Sequence, residues 1–323
     1  MRYPSPTPPP LGDRPAAIRL GFAAEPVVDL IHLGTNTLYH ECLARIMLAE
    51  SIVLKAGDFV DDLEGGGSIR LLDAAMVDLV LDALDAQRHA RLGCNISPRT
   101  LADRFALADI LRRIGVRPWL ASRLTLEITE SAPLREIADV GVRLGALRSL
   151  GCHIALDDFG ARFATPTHLR GVAIEWDIVK LDRTCFGDLQ SLPQAHDRLR
   201  SAIARASSLA SVVVVEGIET REHLDVAREA GAHYGQGWVF EGPVREYWTV
   251  PDETIGTKLA TAMIAHGAAL RPSGSGSQIV SDDSECEADS PMLAEQSYVL
   301  SRVDTFYDRV RTLIASTRAG GTA

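Results

Sequence analysis

The chain has 323 residues, 46% of them hydrophobic and 24% charged, with a formal net charge of −10 at neutral pH. That length holds one large α/β domain with appendages. The acidic balance excludes a broad non-specific nucleic-acid surface, which would need a basic patch. An acidic protein that handles an anionic ligand must borrow positive charge, most simply from divalent cations.

Residues 1–16 form a proline-rich lead-in, expected to be extended and disordered, with no apolar signal core. No run of about 18 apolar residues exists, which speaks against a membrane span. The five cysteines show no CxxC pairing and read as reduced, mostly buried thiols in a cytoplasmic protein.

Residues 17–250 then alternate short apolar runs with amphipathic helices. Strands are expected near 22–29, 37–43, 92–96, 124–129, 153–158, 178–182, 211–216 and 233–239. Helices are expected over Ser68–Asp85, Pro98–Ile114, Leu134–Leu150, Ala195–Leu209 and Thr220–Ala230. This alternation predicts an α/β protein, a TIM-like (β/α)8 barrel, rather than an open sheet. Residues 251–270 read as a helix packing on or near the barrel. A flexible acidic linker is expected over 271–290 and a C-terminal helix over 291–323, whose apolar stripe reads as a packing or dimer surface.

Strand after strand ends on an oxygen-bearing side chain: Glu41, Asn95, Glu127, Asp157 with Asp158, and Glu216. A carboxylate at a buried strand's end is costly unless charge meets it. In a closed barrel such ends converge at the C-terminal mouth. Hard oxygen donors with no His or Cys beside them suit Mg²⁺ or Mn²⁺ and disfavour zinc. The adjacent Asp157 and Asp158 stand where the backbone can turn both carboxylates to the mouth, and one of them could bridge two ions. Lys180 ends the next strand; burial among metals would lower its pKa and let it orient or deprotonate a water. Arg45 could grip a phosphate, and Gln236 adds a neutral donor and acceptor.

Blander readings exist for each residue taken alone. A strand-end acid is often a helix cap or a structural ion pair, and Lys180 by itself reads as a core-edge lysine paired to Asp157. His153 and His233 lie in apolar runs and read as packed histidines. Trp238 reads as core or barrel rim, with stacking on a base conceivable. A different chemistry would make Glu127 and Glu216 the acid and nucleophile of a retaining glycosidase. That alternative leaves Asp157, Asp158 and Lys180 without a role, and only 6% of the residues are aromatic.

Seven motifs in order carry a resemblance: Glu41-Cys-Leu-Ala-Arg45, Asn95-Ile-Ser97, Leu126-Glu-Ile-Thr-Glu130, Asp157-Asp-Phe-Gly160, Val179-Lys-Leu-Asp182, Val215-Glu-Gly-Ile-Glu219 and Gly235-Gln-Gly-Trp238. Together they resemble the EAL-domain cyclic di-GMP phosphodiesterases, over about residues 20–245. The resemblance implies a barrel with one reversed strand, hydrolysis of cyclic di-GMP to linear pGpG, a two-metal site and a homodimer. It implies that Glu41, Asn95, Glu127 and Asp157 hold one ion and that Asp157, Asp158 and Glu216 hold the second. Lys180 would stand near the attacking water, Gln236 would order another, and Leu43 and Arg45 would contact substrate. Glu130 would anchor the loop after the paired aspartates, with Glu219 as a supporting acid. A receptor that binds cyclic di-GMP without cleaving it is the alternative within the family. The C-terminal extension could serve a protein partner, and no DNA partner is implied. The chain departs from the family pattern at Cys42, at Glu25 and across Ala161–Pro166.

Overall fold

The computed structural model describes residues 19–32, 36–49, 52–129, 131–160, 174, 176–187, 192–240 and 245–248, with 255, 258, 259, 262 and 263. The expected lead-in, the 161–166 departure, the acidic linker, the C-terminal helix and Glu130 lie outside them.

Among the described residues ten strands form: β1 (Arg19–Asp29), β2 (Thr37–Ala49), β3 (Ile52–Lys55), β4 (Leu92–Ile96), β5 (Leu124–Ile128), β6 (His153–Phe159), β7 (Trp176–Leu181), β8 (Ala210–Val215), β9 (Tyr234–Gly235) and β10 (Arg245–Trp248). Eight of them close a ring in the order β1-β2-β4-β5-β6-β7-β8-β9, with β9 pairing back onto β1. All neighbours run parallel except at β1, which is antiparallel to both β2 and β9. The reversal has a simple cause. Only residues 30–36 separate β1 from β2, too few for the crossover that a parallel pair requires. β3 and β10 lie outside the ring, hydrogen-bonded to β2 and β1.

The helices are α1 (Val60–Gly65), α2 (Ile69–Ala86), α3 (Pro98–Ala102), α4 (Arg104–Gly115), α5 (Val140–Ser149), α6 (Leu192–Ala206) and α7 (Arg221–Glu229). Two expected helices are interrupted. The Pro98–Ile114 segment breaks at Asp103, whose backbone is extended and whose carboxylate accepts from the Phe105 and Ala106 N–H groups, capping α4. The Leu134–Leu150 segment becomes α-helical only at Val140, after Asp139 takes a left-handed φ of 55°. Farther along, Leu259 and Met263, one helical turn apart, are buried.

A cluster of Val27, Tyr39, Ala155, Ile178 and Val214 fills the barrel interior. Side chains on a strand alternate between faces, so residues two apart share one. Stepping two residues toward the mouth from Tyr39, Ala155, Ile178 and Val214 reaches Glu41, Asp157, Lys180 and Glu216. The same step from Gly93 and Thr125 reaches Asn95 and Glu127. A polar layer therefore lies about 7 Å above an apolar one. On the reversed strand the step runs backward, from Val27 to Glu25, which pairs opposite Glu41.

Candidate metal centre

The polar layer is organised around Lys180, whose side chain is fully buried. Its ammonium nitrogen lies 2.9 Å from Glu41 Oε2, 2.6 Å from Glu127 Oε2, 3.0 Å from Asp157 Oδ1 and 2.8 Å from Glu216 Oε1. An ammonium carries three N–H donors, so it cannot satisfy four carboxylates. Asn95 Nδ2 donates to Glu41 Oε1 at 2.8 Å and Gln236 Nε2 to Glu41 Oε2 at 2.7 Å. Among the described residues, Glu127 Oε1, Asn95 Oδ1 and Gln236 Oε1 are buried with no hydrogen-bond partner.

Charge distribution follows from this crowding. Burial alone would raise the pKa of Glu41, but Lys180 and the hydrogen bonds from Lys180, Asn95 and Gln236 hold it below the ordinary value. Glu127 and Glu216 go the other way: burial and neighbouring carboxylates push both well up despite Lys180. Asp157 is raised by burial and by Glu41. Burial and Asp157 push Asp158 up to about 7. For Lys180, burial works against the charge, yet its four carboxylate neighbours outweigh it and raise its pKa well above normal. That is opposite to the lowering expected in the presence of metals, because the charges that face the ammonium among the described residues are anionic.

Asp157 and Asp158 would point to opposite faces of a regular strand. They do not form one. The β6–β7 register shifts between Leu156 and Phe159, and Asp158 takes a φ of 54°. A bulge with one left-handed residue re-aims a side chain at a site. Oxygens of Asp157, Asp158 and Glu216 consequently lie within 4.8 Å of one another, as do oxygens of Glu41, Glu127 and Asp157. Asp157 belongs to both groups. The donor set is entirely oxygen, four of its five carboxylates are ion-paired to one ammonium, and several of its oxygens have no partner among the described residues. Hard divalent cations fit such a set.

Other expected site residues stand apart. Leu43 and Arg45 share the inner face of β2 with Glu41 but lie farther along the strand, where β2 has passed its pairing with β4 and continues against β1 and β3. Arg45 Nη1 donates to the Leu43 and Ala44 carbonyls at 3.3 and 3.0 Å. Glu219 is exposed, 3.6 Å from Arg183, and its N–H donates to His223 Nδ1. Cys42 faces away from the layer, being one residue out of phase with Glu41. His153 and His233 are exposed rather than packed, and Trp238 is 66% exposed rather than core.

Two residues at the site escaped the sequence reading. Tyr39 is buried beneath Glu41 with an unpartnered hydroxyl among the described residues. Gly93 leaves the room that Glu127 occupies: a Cβ there would collide with Glu127 Oε1 and meet the Tyr39 ring at 2.6 Å. Only the phase relative to Glu41 and Asn95 could have flagged them. Gly93→Ala is expected to cost about 1–3 kcal/mol of stability through overpacking and to weaken divalent-cation binding by displacing Glu127. Thermal melts and metal titration of that variant check both effects.

The glycosidase alternative fails on this geometry. The Lys180 ammonium lies between Glu127 and Glu216, within 2.8 Å of each, in the space where a sugar would sit.

Comparison with known proteins agrees with the barrel. The sequence profile of the EAL domain family matches residues 14–243. The cyclic di-GMP phosphodiesterase PA2567 of Pseudomonas aeruginosa is 36% identical over 154 residues, covering 48% of this chain and 26% of that protein. The cyclic di-GMP phosphodiesterase RocR of the same organism is 32% identical over 220 residues, covering 66% of this chain and 55% of RocR. The chain thus spans about a quarter to a half of these relatives. Among solved structures, an EAL domain protein of Listeria monocytogenes aligns with a TM-score of 0.58 at 23% identity, covering 75% of this chain and 93% of that one. The PaMucR phosphodiesterase in complex with c-di-GMP aligns with a TM-score of 0.59 at 21% identity, covering 70% and 92%. At those identities the structures bear on the fold alone.

Proposed function

The chain belongs to the EAL domain family, and on that premise we propose that it is a metal-dependent phosphodiesterase that hydrolyses one phosphodiester bond of cyclic di-GMP to linear pGpG. The observation that carries the reading is the buried layer in which one lysine faces four carboxylates within 3.0 Å and Glu127 Oε1 has no hydrogen-bond partner among the described residues. A layer so rich in anionic oxygen is suited to cations, and an anionic diester approaches it favourably only when they are bound.

In this reading Glu41, Asn95, Glu127 and Asp157 hold one Mg²⁺ or Mn²⁺, and Asp157, Asp158 and Glu216 hold the other. Such a pair supplies Lewis acidity at the phosphoryl oxygens and a more acidic water. The chain's own residues do the placing. Lys180, within 3.0 Å of four carboxylates, orients the attacking water and holds those carboxylates at fixed spacing. Gln236, anchored on Glu41, presents its free carbonyl oxygen to a second water. Arg45 and Leu43, beyond the ring on β2, contact the diester. Glu130 anchors the loop after Asp157 and Asp158, with Glu219 as a supporting acid. In the reaction one water oxygen joins phosphorus as one ester P–O bond breaks, and the departing oxygen takes a proton.

On the same reading the protein works in the cytoplasm, pairs with a second copy of itself and offers its C-terminal segment to a protein partner. Among the described residues no helix is long and apolar enough to cross a membrane.

Incubating the purified chain with cyclic di-GMP and Mg²⁺ or Mn²⁺ is expected to yield pGpG. EDTA should abolish the product and excess metal restore it. Ligand bound over hours without product would make the protein a receptor; hydrolysis that survives EDTA would overturn the metal assignment.

A further inference from the structure

A second buried carboxyl group lies outside the metal layer. Asp73, on α2, is 4% exposed. Its Oδ2 accepts from the Ser97 backbone N–H at 3.0 Å and also from the Thr100 hydroxyl. Ser97 and Thr100 are themselves buried. The Ser97 hydroxyl donates to Glu64 Oε1 at 2.7 Å and accepts from the Arg99 N–H at 3.2 Å. One carboxylate oxygen thereby ties α2 to Ser97, which joins β4 to α3, and to Thr100 within α3.

This arrangement is costly for packing alone. Burial pushes Asp73 up to about 7; the bonds from Thr100 and Ser97 act against that, and Glu64 adds to it, with no cation among these groups. The buried neighbours of Asp73 along α2, such as Leu72, Met76, Val77 and Val80, are apolar, and an apolar side chain would avoid the desolvation cost. What the carboxylate fixes is the backbone just past Asn95. Among the described residues the Asn95 side chain makes one hydrogen bond, from Nδ2 to Glu41, while its Oδ1 is buried without a partner. The direction of that oxygen is thus set largely by the backbone of residues 95–97.

We propose that Asp73 is a positioning residue that acts through the Ser97 backbone to aim Asn95 Oδ1 at the cation shared with Glu41, Glu127 and Asp157. The inference rests on the metal-centre reading. Groups that orient a ligand from behind commonly change metal affinity 10- to 100-fold when removed. Because Asn95 serves one carboxylate group and not the other, the effect is confined to one of two binding events. A merely structural role would lower the melting temperature without separating them.

The test is Mn²⁺ titration of the full chain, by calorimetry with free Mn²⁺ followed by EPR, alongside metal-free melts. Wild type is expected to show two binding events. Asp73→Leu should weaken one by roughly 10- to 100-fold and leave the other unchanged. Asp73→Asn, which keeps an acceptor oxygen, should bind both ions within a few-fold of wild type, and Thr100→Val should fall between the two. Equal weakening of both events, or none, in Asp73→Leu overturns the proposal; if that variant does not fold, Thr100→Val decides on the same criterion. Wild type binding two ions with unaltered variants would overturn this inference alone. Wild type binding no Mn²⁺ would overturn the metal-centre reading with it.

Discussion

Asp157→Asn is expected to reduce cyclic di-GMP hydrolysis about a thousandfold while leaving the barrel folded. Asp157 is the one residue common to both groups of converging oxygens, so neutralising it withdraws an anionic donor from both ions at once. Cation stabilisation of a phosphoryl transition state amounts to several kcal/mol; a loss of about 4 kcal/mol corresponds to roughly three powers of ten in rate. The fold should survive because the substitution is nearly isosteric and relieves repulsion in a layer where burial and Glu41 already raise the Asp157 pKa. Single-turnover kinetics with saturating Mn²⁺, together with circular dichroism, check both halves. Turnover within tenfold of wild type would remove Asp157 from its shared position.

Lys180→Met is expected to lower the stability of the metal-free protein by about 3–5 kcal/mol, the range found when one partner of a buried ionic group is removed. Glu41, Glu127, Asp157 and Glu216 would lose their common cation. The Lys180 pKa is raised above its unfolded value, so its contribution is fully present below the ordinary lysine range and is lost only as pH rises through the raised value. Divalent cations should offset part of the deficit, because with the ammonium gone they bind the four carboxylates more tightly than in wild type, and tighter binding to the native state adds more stability. Urea denaturation with and without Mg²⁺ measures this directly. An equal deficit in both conditions would show that cations do not share the layer with Lys180. Hydrolysis by the metal-loaded variant should remain well below wild type, since no other described cation is ion-paired to these four carboxylates.

Much of the centre was legible in the chain because parallel strands in a closed ring put their C-terminal ends in one place. Glu41, Asn95, Glu127, Asp157, Lys180, Glu216 and Gln236 each follow an apolar stretch, and each joins the polar layer. What the sequence does not display is phase between strands. Gly93 matters through Glu127 on the neighbouring strand, and Tyr39 through the layer above it; both relations depend on register. The bulge that turns Asp157 and Asp158 to one side was allowed by the adjacent acids, but the left-handed Asp158 backbone is a tertiary outcome. Local signals also misled. Pro98–Ile114 carries helical periodicity throughout, yet the Asp103 carboxylate does better capping a new helix than continuing the old one. His153 begins β6 and His233 stands just ahead of β9, and strand ends reach solvent where strand middles do not. β3 and β10 were missed because short strands on a sheet edge need no core-facing pattern of their own.

The reversed first strand has a further consequence for how such a module is wired. In a barrel whose strands all point one way, the polypeptide enters through the floor, opposite the chemistry. Here β1 enters at the rim, with Gly21–Ala24 paired to β10 on one side and to the overhanging part of β2 on the other. Arg19, where the described part of β1 begins, pairs opposite Met47 on that overhang, so the described strand comes in on the same side of the ring as Arg45.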